Sequence, residues 1–286
     1  MAADPPRPTL PAQRGVAARE VAQWRGAAGP ARVADRVVEE VPVALRYNGR
    51  AFAVMMATPC DLEEFALGFS LTEGLVEDSG QFLGASVQAR LEGIELDVHV
   101  ATDAPAARLA GAGDDGQRLL PGRSGCGLCG ARALEDAVRP PPPVRATRTF
   151  ALPALERAFA ALPQAQPMNA ATGAVHAAAW ADADGALRLV REDVGRHNAL
   201  DKLVGALLRA GDAPDAGMLL LTSRASYEMV AKAARAGIGL VAAISAPTAL
   251  AVDLARGANV CLVGFARPGG CNVYAHPARL QAGRAP

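Results

Sequence analysis

From Val33 to about Val100 the apolar positions mix strand-like runs with one helical stretch. Val41-Pro42-Val43-Ala44-Leu45-Arg46-Tyr47 and Arg50-Ala51-Phe52-Ala53-Val54-Met55-Met56 flank Asn48-Gly49. An Asn-Gly pair between two such runs predicts a tight hairpin, because both residues tolerate positive φ. Thr58-Pro59-Cys60-Asp61 then opens a helix through Glu63, Glu64, Phe65, Leu67 and Phe69, with apolar residues at helical spacing. Strand-like Ala85 to Arg90 and Ile94 to Val100 complete a small α+β domain over residues 35–120. Residues 121–148 read as a mobile cysteine-bearing loop and linker, with the proline run Pro140 to Pro143 as an extended spacer.

The second half, residues 149–280, has a different rhythm. Met218-Leu219-Leu220-Leu221-Thr222 is a short, wholly apolar run, the pattern of a strand covered on both faces. A helix from Ser226 to Arg235 follows and stops at Gly237. Then come a strand at Leu240 to Ile244, a helix from Thr248 to Arg256, and a strand at Asn259 to Phe265. This alternation predicts an α/β class with right-handed crossovers and a mainly parallel, three-layer αβα sheet.

Ligands of such sheets collect beyond the carboxyl ends of the strands. Three successive ends carry Ser223-Arg224, Ser245-Ala246-Pro247-Thr248 and Phe265-Ala266-Arg267. Hydroxyls, helix N-termini and two arginines suit phosphate or another anion, and plain capping by Ser and Thr is the bland alternative. Upstream, Arg191-Glu192-Asp193-Val194-Gly195-Arg196-His197-Asn198-Ala199-Leu200-Asp201-Lys202 opens another helix. Leu200, Leu203, Val204 and Leu207 share one face, which leaves His197 and Asp201 stacked one turn apart on another. So many polar groups exceed what capping needs, and the helix start reads as ligand-facing.

Composition narrows the class. The 286 residues hold 29 basic and 29 acidic side chains, so no charge excess favours nucleic acid or a membrane surface. No apolar run approaches the ~20 residues a membrane span needs. Residues 1–34, rich in Ala, Pro and Arg without an apolar core segment, read as a disordered tail rather than a secretory signal. Five cysteines, an odd number without framework spacing, fit a reducing cytoplasm.

Two of those cysteines carry the sharpest chemical signal. Gly122-Arg123-Ser124-Gly125-Cys126-Gly127-Leu128-Cys129-Gly130 sets two thiols among four glycines, beside arginines and a short helix that favour the thiolate. Half a zinc site, a thioredoxin-like dithiol and a persulfide carrier all use a Cys-x-x-Cys. Zinc lacks a second close-spaced ligand pair in the sequence, and the loop-like residues before Cys126 lack the strand a thioredoxin motif follows.

The thiol loop, the run Glu192 to Lys202, the strand ends from Ser223-Arg224 to Gly264-Phe265-Ala266-Arg267, and Thr58 to Phe69 together resemble the formate dehydrogenase accessory sulfurtransferase family. The resemblance covers nearly all of the chain after about residue 35. It implies a cytoplasmic homodimer whose second domain resembles the cytidine deaminase fold. It implies too that a cysteine desulfurase passes sulfane sulfur to the Cys-x-x-Cys loop, with Cys126 carrying the persulfide and Cys129 assisting or sharing the load. Delivery would be to the molybdenum (or tungsten) bis-molybdopterin guanine dinucleotide cofactor of the formate dehydrogenase catalytic subunit. The expected cofactor contacts are Phe265, Ala266, Arg267, Pro268, Gly269 and Gly270, with Ser223, Arg224, Ser245, Thr248, Arg196, His197, Asn198, Asp201 and Lys202. Pro268-Gly269-Gly270 offers backbone donors only, which places the charge on Arg267.

Two rival classes make different demands. A zinc deaminase needs His-x-Glu before its Pro-Cys-x-x-Cys, whereas this chain has His176-Ala177-Ala178 after its cysteine pair. A non-catalytic cofactor chaperone would use Cys126 and Cys129 to hold zinc.

Overall fold

The structure, a computed structural model, describes residues 13–26, 29–108 and 140–283. Its first elements correct the expectation of a disordered tail to residue 34. Strands β1 (Val16–Trp24) and β2 (Pro30–Val38) pair antiparallel in a ribbon, with Val16 opposite Val38 and Val21 opposite Val33. Such β-branched cross-strand pairs stabilise a ladder that the Ala/Arg-rich composition conceals. The ribbon is seated at its base: a Cβ at Gly15 would lie 2.6 Å from Thr58 Cγ2 and 2.9 Å from Met168 Cε.

The Asn48-Gly49 hairpin forms as expected between β3 (Val41–Tyr47) and β4 (Arg50–Ala57), with φ of 48° and 78° at the two turn residues. Strands β5 (Phe82–Ala89) and β6 (Ile94–Val100) complete a sheet of order β4-β3-β6-β5. Helix α1 (Leu62–Thr72) drops Phe65 and Phe69 onto Leu45, Leu96 and Val98 of that sheet. A single turn, α2 (Pro105–Arg108), follows.

After the proline run, Val144 and Ala146 are buried, and Val144 N–H donates to Ala258 O at 2.9 Å. The expected spacer is thus docked along the second half. That half contains β7 (Phe150–Ala151), α3 (Leu152–Ala161), α4 (Pro167–Thr172), β8 (His176–Ala181), β9 (Leu187–Asp193) and α5 (Arg196–Ala210). It continues through β10 (Met218–Leu221), α6 (Tyr227–Arg235), β11 (Leu240–Ala243), α7 (Ala249–Gly257), β12 (Cys261–Arg267), β13 (Gly270–Ala275) and β14 (Leu280–Gln281).

Six strands form one sheet in the order β13-β12-β11-β10-β8-β9. Only β10, β11 and β12 run parallel; β8, β9 and β13 join antiparallel, so the sheet is mixed rather than mainly parallel. The short β8–β9 and β12–β13 connections are hairpins, which cannot make the long crossover that parallel neighbours require. The apolar runs are covered on both faces as read. Leu219, Leu221, Val241 and Leu262 pack with Leu200, Leu203 and Val230, while Leu220, Ala242 and Val263 pack with Leu155 and Phe159 of α3.

The two halves meet where α1 crosses α5. Gly68 of α1 lies against the Asp201 carbonyl and Gly205 of α5 against the Glu64 carbonyl, so a Cβ at either position would overlap the facing backbone. No helix among the described residues is long and apolar enough to cross a membrane. Because backbone cannot retreat as a side chain can, Gly205→Ala should destabilise the protein by about 3 kcal/mol in urea denaturation. Exposed Gly257, whose added Cβ meets nothing within 4 Å, should tolerate alanine in the same assay.

Candidate functional site at the carboxyl edge of the six-stranded sheet

Strands β9, β10, β11 and β12 all end on one edge, and antiparallel β8 and β13 begin there. Helices α5, α6 and α7 start from the same edge. With strands about 4.8 Å apart, the ends from β9 to β12 form a ledge about 20 Å long. The loops after β10 and β11 are alike in course and touch: Ala225 bridges Pro247, and Thr248 N–H donates to Ala225 O at 3.1 Å.

Most sequence-derived residues reach this edge, with differing freedom. Arg224, Phe265, Arg267, Pro268 and Gly269 are exposed, and Arg196, Ser245, Thr248 and Gly270 are half-buried. Phe265 has φ 52°, a left-handed conformation unusual for an aromatic residue, and its N–H donates to Ser245 O at 3.2 Å. Its neighbour Gly264 leaves room there for Pro247 and Tyr274. Gly269 N–H donates to Glu156 Oε1 at 3.1 Å. Thr248 caps α7 by accepting from Ala251 N–H at 3.2 Å. Ser223 is buried and its hydroxyl donates to Arg224 O at 3.0 Å, and the Ala266 methyl belongs to the apolar core.

Asp201 and Lys202 correct the reading of a ligand-facing helix. Both are essentially inaccessible, at 1% and 0% exposure, and their polar atoms are engaged within the fold. Lys202 Nζ donates to Asp193 Oδ2 at 2.6 Å and Thr58 O at 2.9 Å, and lies 3.8 Å from Cys60 Sγ. Asp193 also accepts from Thr58 N–H, Gly195 N–H and Asn198 Nδ2. Asp201 accepts from Thr72 Oγ1 at 2.6 Å and from Lys232 Nζ at 2.9 Å, and Lys232 Nζ is 2.7 Å from Glu73 Oε1. The partners come from both halves of the chain, Thr58 and Thr72 from the first and Asp193 and Lys232 from the second, so these polar groups are spent inside the fold.

The charged residues ahead of α5 are likewise engaged within the fold. Arg191 forms a two-pronged pair with Glu64 at 2.5 and 2.8 Å, and Glu192 accepts from Met168 and Asn169 N–H at the start of α4. His197 is 4% exposed and faces Glu228 at 4.0 Å. Burial pushes the His197 imidazole below its usual range. His197 and the Ser226 hydroxyl hold the Glu228 carboxyl down to about 2.

Sequence reasoning passed over His176 and Glu228. His176 was weighed only as a deaminase ligand, yet β8 runs antiparallel and its first residue lands on the ledge opposite Asp193. Glu228 lies in the first turn of α6, and the packing of that helix on α5 sets it against His197.

Cys126 and Cys129 lie outside the described residues. The three described thiols are poorly suited to nucleophilic work. Burial pushes Cys60 and Cys271 up and Cys261 up to about 12, leaving little thiolate.

Comparison with known proteins decides the family. The family model for FdhD/NarQ matches residues 38–281. The chain belongs to the FdhD/NarQ family. It is 52% identical over 277 residues to the sulfur carrier protein FdhD of Xanthomonas campestris pv. campestris strain B100, covering 97% of this chain and 96% of that one. It is 53% identical over 247 residues to the sulfur carrier protein FdhD of Cupriavidus necator, covering 86% and 84%. A crystal structure of a candidate formate dehydrogenase accessory protein from Desulfotalea psychrophila superposes with a TM-score of 0.70 at 23% identity, over 93% of this chain and 99% of that one. That likeness establishes the shared fold.

The buried network generates two expectations. Lys202→Ala strands the Asp193 carboxylate in a dry site and should cost about 3–5 kcal/mol by urea denaturation. Glu228 has its carboxyl depressed in the folded chain, so its contribution is present above about pH 4.5 and is lost as pH falls toward 2. Glu228→Gln should flatten the stability–pH profile in that acid window and leave its neutral slope unchanged.

Proposed function

We propose that this protein carries sulfane sulfur from a cysteine desulfurase to a molybdenum or tungsten bis-molybdopterin guanine dinucleotide, and so supports formate dehydrogenase. The supporting observation is 52% identity over nearly the whole chain to proteins named sulfur carriers, joined to the Cys126-x-x-Cys129 loop in the sequence. The Cys126 thiolate attacks the outer sulfur of the donor persulfide; one S–S bond breaks, another forms, and the desulfurase thiolate leaves. Delivery as sulfide needs two electrons. The Cys129 thiolate supplies them by attacking Cys126 Sγ: the outer sulfur departs as hydrosulfide toward the metal and the two cysteines close to a disulfide.

The ledge suits the other half of the task. A guanine dinucleotide brings phosphates, which match helix N-termini and the arginines Arg196, Arg224 and Arg267. An exposed, conformationally unusual Phe265 offers a flat apolar surface to a heterocycle. A second copy of the chain, a cytoplasmic setting and docking on the formate dehydrogenase catalytic subunit belong to the same proposal.

Mass spectrometry after incubation with a cysteine desulfurase and cysteine should show one added sulfur on the peptide holding Cys126 and Cys129. Cys126→Ala should abolish it. Cys129→Ser should keep the added sulfur yet fail to activate formate dehydrogenase. An unmodified wild-type loop, or stoichiometric zinc on the cysteines, would overturn the carrier role.

A further inference from the structure

The β1–β2 ribbon stands apart from the other sheets: among the described residues neither strand pairs with a third. Its base is half-buried, but residues 18–20 and 22–24 of β1 and residues 30–32 of β2 are exposed. A two-stranded hairpin is only marginally stable in water unless it packs on something. The Arg32–Glu20 ion pair, 2.9 Å long and open to solvent on both sides, adds little. At the far end of the ribbon Trp24 is 70% exposed, with exposed Arg25 beside it. A large apolar ring held out on a projecting arm marks a contact made with another molecule.

Charge is divided between that arm and the sheet that follows it. Residues 13–38 carry five basic and two acidic side chains, whereas residues 39–108 carry four basic and 12 acidic ones. Glu77, Asp78 and Asp103 are exposed at the end of the four-stranded sheet where β5 starts and β6 stops, with Phe82 opposite Val100. Leu83, 66% exposed, adds an apolar surface to this acidic corner. Within one chain the two features do not meet, since the ribbon tip and the corner are both open to solvent. Strands of nine residues extend about 30 Å, enough for the arm to cross to a neighbouring molecule.

We infer that the β1–β2 ribbon is an exchanged arm: in a dimer, each copy lays its ribbon tip on the Glu77, Asp78 and Asp103 corner of the other. Trp24 covers Leu83, and Arg25 meets the carboxylates around it. The occupant is a second copy because the chain, neutral as a whole, segregates opposite charges on its own surface and so supplies the complement the arm lacks. A twofold axis makes the contact twice, which doubles the surface covered for one arm per chain. The inference rests on the second copy named in the proposal above, assigns it a surface, and needs none of the sulfur chemistry.

Sedimentation equilibrium on the full chain, joined to acrylamide quenching of tryptophan fluorescence, tests this. The chain has two tryptophans, and Trp180 is 4% exposed, so the quenchable emission reports Trp24. The wild type should be a dimer with Trp24 shielded, and dilution to the monomer should make Trp24 quenchable. High salt should shift the same equilibrium toward the monomer, because it screens the arm from the acidic corner. Trp24→Ala and Glu77→Arg should each weaken dimerisation by about tenfold or more, with the circular dichroism spectrum unchanged. A dimer that leaves Trp24 quenchable, or one unaffected by Trp24→Ala or by Glu77→Arg, would overturn the arm exchange and leave the second copy standing. A wild type that stays monomeric at every concentration would overturn both, and persulfide formation on the cysteine loop would stand or fall separately.

Discussion

Backbone contact between α1 and α5, at Gly68 and Gly205, is the constraint on which the rest of the arrangement depends. Two helices this close leave no room for side chains along the seam, so polar groups beside it must find partners within the fold. Lys202 and Lys232 supply them on either flank, the first binding Asp193 and Thr58, the second Asp201, Thr72 and Glu73. Lys232 Nζ also lies 5.2 Å from the centre of the Phe69 ring. Charges this dry are costly unless each has its partner, which gives the crossing one acceptable register.

That register has a consequence at the sheet edge. Asp193 ends β9 and its carboxylate accepts from Lys202, Thr58 and Asn198, while Gly195, which caps α5, donates its N–H to the same carboxylate. Asn198 and Lys202 of α5 are spent on Met56, Thr58 and Asp193 and His197 faces Glu228, while the half-buried Arg196 forms no ion pair with a described carboxylate. A preorganised set of donors on a rigid helix start binds an anion without first having to be ordered. Sulfur transfer makes the opposite demand, a thiolate that reaches both donor and acceptor, and the proposed carriers Cys126 and Cys129 lie on a separate glycine-rich stretch. Burial leaves the described thiols Cys60, Cys261 and Cys271 ill-suited to that work.

The legible part of the fold was that written in local pattern. Asn48-Gly49 dictated the β3–β4 hairpin, the spacing of Phe65 and Phe69 dictated α1, and the apolar runs at 218–221 and 240–243 dictated buried parallel strands. The β1–β2 ribbon was missed because its valines are sparse among Ala and Arg, and cross-strand pairing is not a local property. Asp201 and Lys202 misled for a related reason. A charged pair beside a helix start looks the same in sequence whether it meets solvent or a buried partner more than a hundred residues away.

By itself, then, the chain determined its elements, its run of βα units, the strand-end residues and the thiol pair, because each follows from neighbours within a turn or two. Tertiary structure alone decided which polar groups are spent and which are free. Lys202 disappears against Thr58 and Asp193, Arg191 is held by Glu64, and Arg196 is left at the edge without an ion pair among the described residues. Partnership across the α1–α5 seam depends on distance in space, and no spacing along the sequence encodes it.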